Sequence, residues 1–258
     1  MASADKPEFE ELTPDDLATY EWQLDVPQFG EAGQAVLKNT TALVSRVGGL
    51  GSPVAFQLAA AGVGRLILAH GGTLKPSDLN RQITMTRDGL GTPRAELAKA
   101  TIQRFKPEID VVAVPSNITE DNAAELVAQA DIVFDCAPLF EERFLMNREC
   151  VRQGVPLIDA AMYNTDGSIL PVRPGETACL ACLFPKLPPH WRRRFPVIGA
   201  TSAMVGTIAV MEGLKLLTDL PGSNAGKLIH VDTLNIAVRK IAVARRAECD
   251  VCGKTSPR

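Results

Sequence analysis

The sequence predicts an α/β protein: a Rossmann-like doubly wound, mostly parallel sheet with an antiparallel C-terminal extension and a structural zinc site. Three observations carry that expectation. Short apolar runs alternate with helical segments from Thr41 to Ala160. A glycine-rich turn, Arg46-Val-Gly-Gly-Leu-Gly51, separates the first apolar run from the first helix after it. Two Cys-x-x-Cys pairs, Cys179/Cys182 and Cys249/Cys252, lie late in the chain.

The elements follow in order. Residues 1–17 read as an acidic lead-in, and 18–258 as a single domain. Thr13-Pro14-Asp15-Asp16 is a helix start, with a capping threonine, a proline at the first position and acids in the first turn. Gly30–Asn39 reads as a short helix. Thr41–Ser45 has the length and apolarity of a buried strand. Ser52–Ala61 is helical in composition, Arg65–Ala69 a second strand and Pro93–Phe105 an amphipathic helix. Ile109–Val114 is a third strand and Ala123–Ala130 another helix. Asp131–Asp135 is a fourth strand, Phe140–Gln153 a helix and Pro156–Ala160 a fifth strand. Such alternation indicates βαβ units with helices on both faces of a parallel sheet. After that the character changes. Ser168–Val172 and Leu228–Asp232 look like antiparallel strands. Between them lie a Pro- and Arg-rich stretch, Phe184–Pro196, and a long helix, Gly199–Leu217.

Composition bounds the function. The chain has 258 residues, a formal charge of −3, 46% hydrophobic and 22% charged residues, which excludes a mainly disordered chain. The acidic balance and 5% aromatic content argue against a nucleic-acid partner. The N-terminus has no apolar targeting core, and the apolar stretch around Val197–Val210 is too short and interrupted to span a bilayer. No membrane association and a cytoplasmic location are expected. Thiols stay reduced there, so paired Cys-x-x-Cys units read as metal ligands. Four thiolates form a closed tetrahedral set for structural zinc, with no position left for a catalytic water. A redox Cys-x-x-Cys is the alternative. Cys136 and Cys150, in strand and helix segments, read as core packing.

The glycine-rich turn is a damaged dinucleotide fingerprint. In G-x-G-x-x-G the first glycine makes the tight turn, the second admits the pyrophosphate and the third packs helix on strand. Gly48 and Gly51 are kept, but Arg46 stands first. The helix N-terminus beyond Gly51 still offers N–H groups to an anion. The acid that binds ribose hydroxyls should close the second strand; Ala69-His70-Gly71-Gly72 is found instead. A merely structural turn is the plain alternative. Arg46 could fill the phosphate position or offer a bidentate fork to a phosphate or carboxylate. His70, at a strand's C-terminal end, reads equally as a ligand contact or a loop filler.

Several blocks now fall in order: Gly48-Gly-Leu-Gly-Ser-Pro53, Ala60-Ala-Gly-Val-Gly64, Asp78-Leu-Asn-Arg-Gln82, Asp135-Cys136, and the two cysteine pairs. Over residues 18–252 the chain resembles the ThiF/MoeB/HesA family, the bacterial relatives of ubiquitin-activating E1 enzymes. The resemblance implies a dimer, ATP in the Rossmann-like half, and adenylation of the C-terminal carboxylate of a ubiquitin-like sulfur-carrier protein. Some members pass the acyl group to a crossover-loop cysteine. Matched to the family's pattern, the nucleotide-binding candidates are Arg46, Gly48, Gly49, Gly51, His70, Asn80, Arg81 and Arg94. Arg81, Arg94 and Asp135 are the catalytic candidates if the chain is active.

The chain also departs from that pattern. Trp22-Gln23 replaces an Arg-Gln that reaches a partner's phosphates. His70 and Gly72 replace two acids. Arg94 replaces a lysine, keeping the charge but not the geometry. Asp135-Cys136-Ala137-Pro138 has proline where a magnesium carboxylate belongs. The crossover loop reads His190-Trp-Arg-Arg-Arg194, without cysteine; its basic run is a solvated charge cluster or a docking site for an acidic tail. The expectation is therefore a catalytically degenerate E1-like protein, a partner subunit or ligand-binding pseudoenzyme. It would form a homodimer, or a heterodimer with an intact E1-like subunit, with doubtful ATP and Mg²⁺. The alternatives are an active adenylyltransferase with a remodelled site and, less favoured, a small-molecule or NADP-binding protein.

Overall fold

The computed structural model describes residues 9–188 and 196–253. The lead-in enters a short helix, α1 (Pro14–Thr19), closed by a reciprocal capping box between Thr13 and Asp16. Its acids do not point idly to water. Lys38 Nζ donates to the Glu11 carbonyl and to Asp16 Oδ2, both at 2.8 Å, tying the segment to α3 (Gly30–Lys38). Between them lies one turn, α2 (Glu21–Leu24).

The central layer follows as β1 (Thr41–Ser45), α4 (Gly51–Ala60), β2 (Arg65–Ala69), α5 (Arg94–Phe105), β3 (Asp110–Val114), α6 (Ala123–Ala128), β4 (Ile132–Asp135), α7 (Phe140–Gln153) and β5 (Leu157–Tyr163). It continues as β6 (Asp166–Val172), α8 (Leu180–Leu183), α9 (Gly199–Thr218), β7 (Lys227–Asp232) and β8 (Ala237–Ala242). The described residues form one eight-stranded sheet in the order β3-β2-β1-β4-β5-β6-β7-β8. The first five strands run parallel, and β6 to β8 add antiparallel hairpins.

Both faces of the sheet are apolar because successive residues of each strand enter opposite cores. Ala42, Val44, Leu66, Leu68, Ile132, Phe134 and Ile158 pack on one side with α4 and α9. Leu43, Ile67, Ala69, Val133 and Leu157 pack on the other with α6, α7 and the four paired cysteines. By length and apolarity alone α9 would suffice to cross a bilayer, but half of its apolar window is buried. It lies against α3, α4, β4, β5 and β6. Gly213 permits that approach: a Cβ there would sit 2.3 Å from Phe134 Cζ. Overpacking of that kind costs about 1–3 kcal/mol.

Every expected strand and helix is present, with shifted ends. The fifth strand runs on to Tyr163, because Ala161, Met162 and Tyr163 pair with β6 across the turn at Asn164, which is left-handed at φ 59°. β8 carries no sequence signal. Five of its six residues are exposed, so no face shows the alternation that marks a half-buried strand. The basic run Arg192–Arg194 and the rest of residues 189–195 lie outside the described residues.

Candidate functional site

Strand order reverses between β1 and β4, where open α/β sheets bind ligands beyond the carboxyl ends of their strands. The connections leaving β1, β2 and β4 bring most of the predicted residues there. Arg46 follows β1 and adopts φ 58°, the left-handed conformation that the fingerprint's glycine would take without strain. Gly51 is required by packing: a Cβ would lie 2.5 Å from the Arg46 carbonyl oxygen. Gly48 faces His70 and Gln82, whose Cε1 and Nε2 would stand 3.5 and 3.8 Å from a Cβ. The Arg81 stem covers Gly49, with Cγ and Cδ each 2.9 Å from a Cβ placed there. Arg94 likewise approaches Gly72, to 2.9 Å.

The three guanidinium groups are all committed to internal carboxylates. Arg46 donates from Nε to Glu142 Oε1 and Oε2 at 3.0 and 2.8 Å, and from Nη2 to Oε2 at 2.6 Å. Arg94 holds Asp78 Oδ2 from Nη2 at 2.6 Å and from Nε at 3.2 Å. Arg81 reaches Asp78 Oδ1 at 3.3 Å and donates from Nη1 to the Ser77 carbonyl at 2.6 Å and to Asn80 Oδ1 at 2.9 Å. Burial opposes ionisation of Asp78, but Arg94 and the Lys75 N–H outweigh it and hold the carboxyl below its usual range. His70 is pushed down to about 3, first by burial and then by the charges of Arg94 and Arg46, and so is neutral at physiological pH. Its Nδ1 and the Oε1 of Gln82 have no hydrogen-bond partner among the described residues.

Asp135, the metal-ligand candidate at the end of β4, is fully buried. Its Oδ1 accepts from Ser45 Oγ at 3.2 Å and from the Ala137 N–H at 2.8 Å. Burial, and then the nearby Asp159, raise its pKa well above the ordinary value. Beside it Arg143 clamps Asp159 through Nε at 2.9 Å and Nη2 at 2.7 Å, a pair almost fully withdrawn from water. A fully buried carboxyl already accepting two hydrogen bonds and a carboxylate clamped by an arginine are poor magnesium ligands. The residues present do not fit a Mg²⁺–triphosphate. Trp22 is 86% exposed.

At the far end of the sheet the four paired cysteines converge. All are buried, and their sulfurs lie within 4.8 Å of one another. Cys179 and Cys249 sulfurs are 3.8 Å apart, and those of Cys182 and Cys252 3.3 Å. Tetrahedral Zn–S bonds of about 2.3 Å require S–S edges of about 3.8 Å. The group can therefore hold a metal such as zinc. Burial works against the Cys249 thiolate, but N–H groups of Cys252 and Val251 and the Cys182 thiol bring it down to about 7. Asn147 Oδ1 caps the Leu180 N–H at 2.9 Å, and Arg246 N–H points at Cys182 Sγ at 3.4 Å. Cys136 and Cys150 are buried elsewhere, their thiols pushed well up by burial, consistent with packing.

Sequence reasoning missed Glu142, the role of Asp78, and the Arg143–Asp159 pair. Glu141-Glu142 reads as ordinary acids in a helix's first turn, and nothing local announces a partner 96 residues away.

Fold and crevice together define a doubly wound α/β protein with a Rossmann-like switch-point crevice and a buried four-cysteine cluster that could hold a metal. The chain belongs to the ThiF family, whose model matches residues 20–251. Its relatives are E1-like. It is 42% identical over 246 residues to the heterocyst protein HesA of Trichormus variabilis, covering 95% of this chain and 92% of that one. It is 36% identical over 250 residues to the sulfur carrier protein adenylyltransferase of Thermus thermophilus, covering 93% and 92%. A crystal structure of E. coli MccB with MccA-N7isoASN shares the fold at a TM-score of 0.83 and 21% identity, covering 96% of this chain and 77% of that one.

Proposed function

We propose that this chain is an E1-like subunit of a ubiquitin-like or sulfur-carrier system that has lost its own adenylation chemistry and acts as a partner subunit. One observation carries the reading. The three guanidiniums of the crevice are all engaged from within, Arg46 by Glu142 and both Arg81 and Arg94 by the one carboxylate of Asp78, while Asp135 is fully buried where burial and Asp159 disfavour its charged form. Adenylation needs cations and a metal directed at a triphosphate, and here two carboxylates draw the three guanidiniums inward and cut the positive charge left for a ligand to one. The names of the relatives supply the system, because the Thermus protein acts on a sulfur carrier. In this reading the protein is cytoplasmic. Cys179, Cys182, Cys249 and Cys252 hold structural zinc, which fastens the tail to the second core of the sheet. The protein works as a homodimer or beside an intact E1-like subunit, and a ubiquitin-like carrier is the macromolecule it would meet.

The deciding measurement is ATP–pyrophosphate exchange by the purified protein with a sulfur-carrier protein ending in Gly-Gly. No exchange above background is expected from the chain alone. Carrier-dependent exchange would establish the second reading, an active adenylyltransferase using Arg46, Arg81, Arg94 and Asp135, which the Thermus relative's activity favours.

A further inference from the structure

The ion pair between Arg46 and Glu142 has a position that charge balance alone does not require. Arg46 is the first residue after β1, and Glu142 stands in the first turn of α7, which follows β4. β1 and β4 are the two strands between which the sheet reverses its order. The fork thus bridges the two walls of the crevice where a ligand of such a sheet would lie. Arginine is an unfavourable choice for this backbone, since φ 58° strains a residue with a Cβ. All three side-chain hydrogen bonds recorded for Arg46 go to Glu142. The two side chains are only 16% and 7% exposed, so the pair is little screened by solvent. The N-terminus of a 14-residue helix favours the carboxylate where it stands. A phosphate entering the crevice would meet a guanidinium already forked onto one anion.

We propose that Arg46 and Glu142 form a latch that closes the switch-point crevice to phosphate ligands, making this pair the determinant of what the site excludes. The inference rests on the crevice being the degenerate nucleotide site described above. Its mechanism is competition: Glu142 holds the Nε–Nη2 edge of Arg46, so a phosphate group must displace the carboxylate from that bidentate edge or make do with the remaining Nη1 side of an already half-neutralised guanidinium.

Calorimetric titration of the full-length wild type, Glu142→Gln and Arg46→Gly with inorganic pyrophosphate and with ATP tests this. Glu142→Gln keeps the shape of the side chain but removes its charge and one of its two acceptor oxygens, which loosens its hold on the guanidinium. It is expected to bind pyrophosphate at least ten times more tightly than wild type. Arg46→Gly relaxes the turn and removes the bridge, and is expected to bind ATP at least ten times more tightly. Thermal unfolding of each variant confirms its fold. If Glu142→Gln fails to fold, Arg46→Gly carries the test alone. A folded variant no tighter than wild type for its ligand overturns the latch, as does a wild type that binds both ligands as tightly as the variants. The readout is a ratio of affinities between variants. It can fail while the exchange assay stays silent, which overturns the latch alone, whereas exchange by the wild type overturns the partner-subunit reading and the latch together.

Discussion

The two ends of the sheet hold two clusters of functional residue types, and their states of satisfaction are opposite. The cysteine cluster is an open donor set. Four sulfurs stand at near-tetrahedral spacing, and a cation would complete it. The switch-point crevice is largely a closed one, where Glu142 takes Arg46 and Asp78 is shared by Arg81 and Arg94. Residue inventory alone would rank the crevice as the richer site, with three arginines, a histidine and two acids. Geometry reverses that order. A site is competent when its charges lack partners that a ligand would supply, and incompetent when they have found one another.

Removing the metal should produce the largest effect. The purified chain is expected to carry one zinc per molecule by elemental analysis. Cys179→Ser should abolish that content and lower the unfolding temperature, because binding energy of a structural zinc is folding energy. The C-terminal segment should become protease-sensitive at the same time. A variant that stays as stable and as resistant as wild type would remove the structural role of the cysteine end. Next comes the buried pair behind the crevice. Asp159→Asn leaves the Arg143 charge buried without its counter-ion, at a cost of about 3–5 kcal/mol. Replacing both members with apolar residues, as in Arg143→Met with Asp159→Leu, should recover most of it. Equal losses in the single and double variants by denaturant unfolding would contradict that assignment.

The fold was largely legible because its signals are local. The Thr41–Ser45 run, the glycine-rich turn and the alternating helices announce the parallel half without reference to distant residues. The cysteine knot was legible because Cys-x-x-Cys spacing carries its chemistry wherever the partners lie. The identities of the crevice residues were legible too, and Arg46 was weighed as a fork for a phosphate or a carboxylate. Which of these it meets was not legible, since Glu142 reaches it only through the pairing of β1 with β4. Asp78 was hidden differently. It sits inside the Asp78-Leu-Asn-Arg-Gln82 block, where Arg81 attracts attention, yet it is the carboxylate that holds both Arg81 and Arg94. β8 escaped because an exposed strand has no apolar face to display.

The smallest effect concerns His70, and it separates a neutral crevice from a cationic one. Its folded pKa of about 3 lies below the ordinary 6.5 because burial, Arg94 and Arg46 all disfavour the imidazolium. Between those values the unfolded chain takes up a proton that the folded chain refuses. The folded state therefore loses stability as pH falls from 6.5, and the loss levels off only near pH 3. At pH 5 the deficit amounts to about 2 kcal/mol. His70→Gln cannot titrate, so it should lose about 2 kcal/mol less than wild type when denaturant unfolding is compared at about pH 7 and pH 5. Equal acid sensitivity in the two proteins would mean that His70 accepts a proton in the folded state. The crevice would then hold a fourth cation, in addition to the three guanidiniums, against only the two carboxylates Glu142 and Asp78. Two positive charges in excess of the carboxylates would make the crevice, like the cysteine cluster, a site that still lacks a partner.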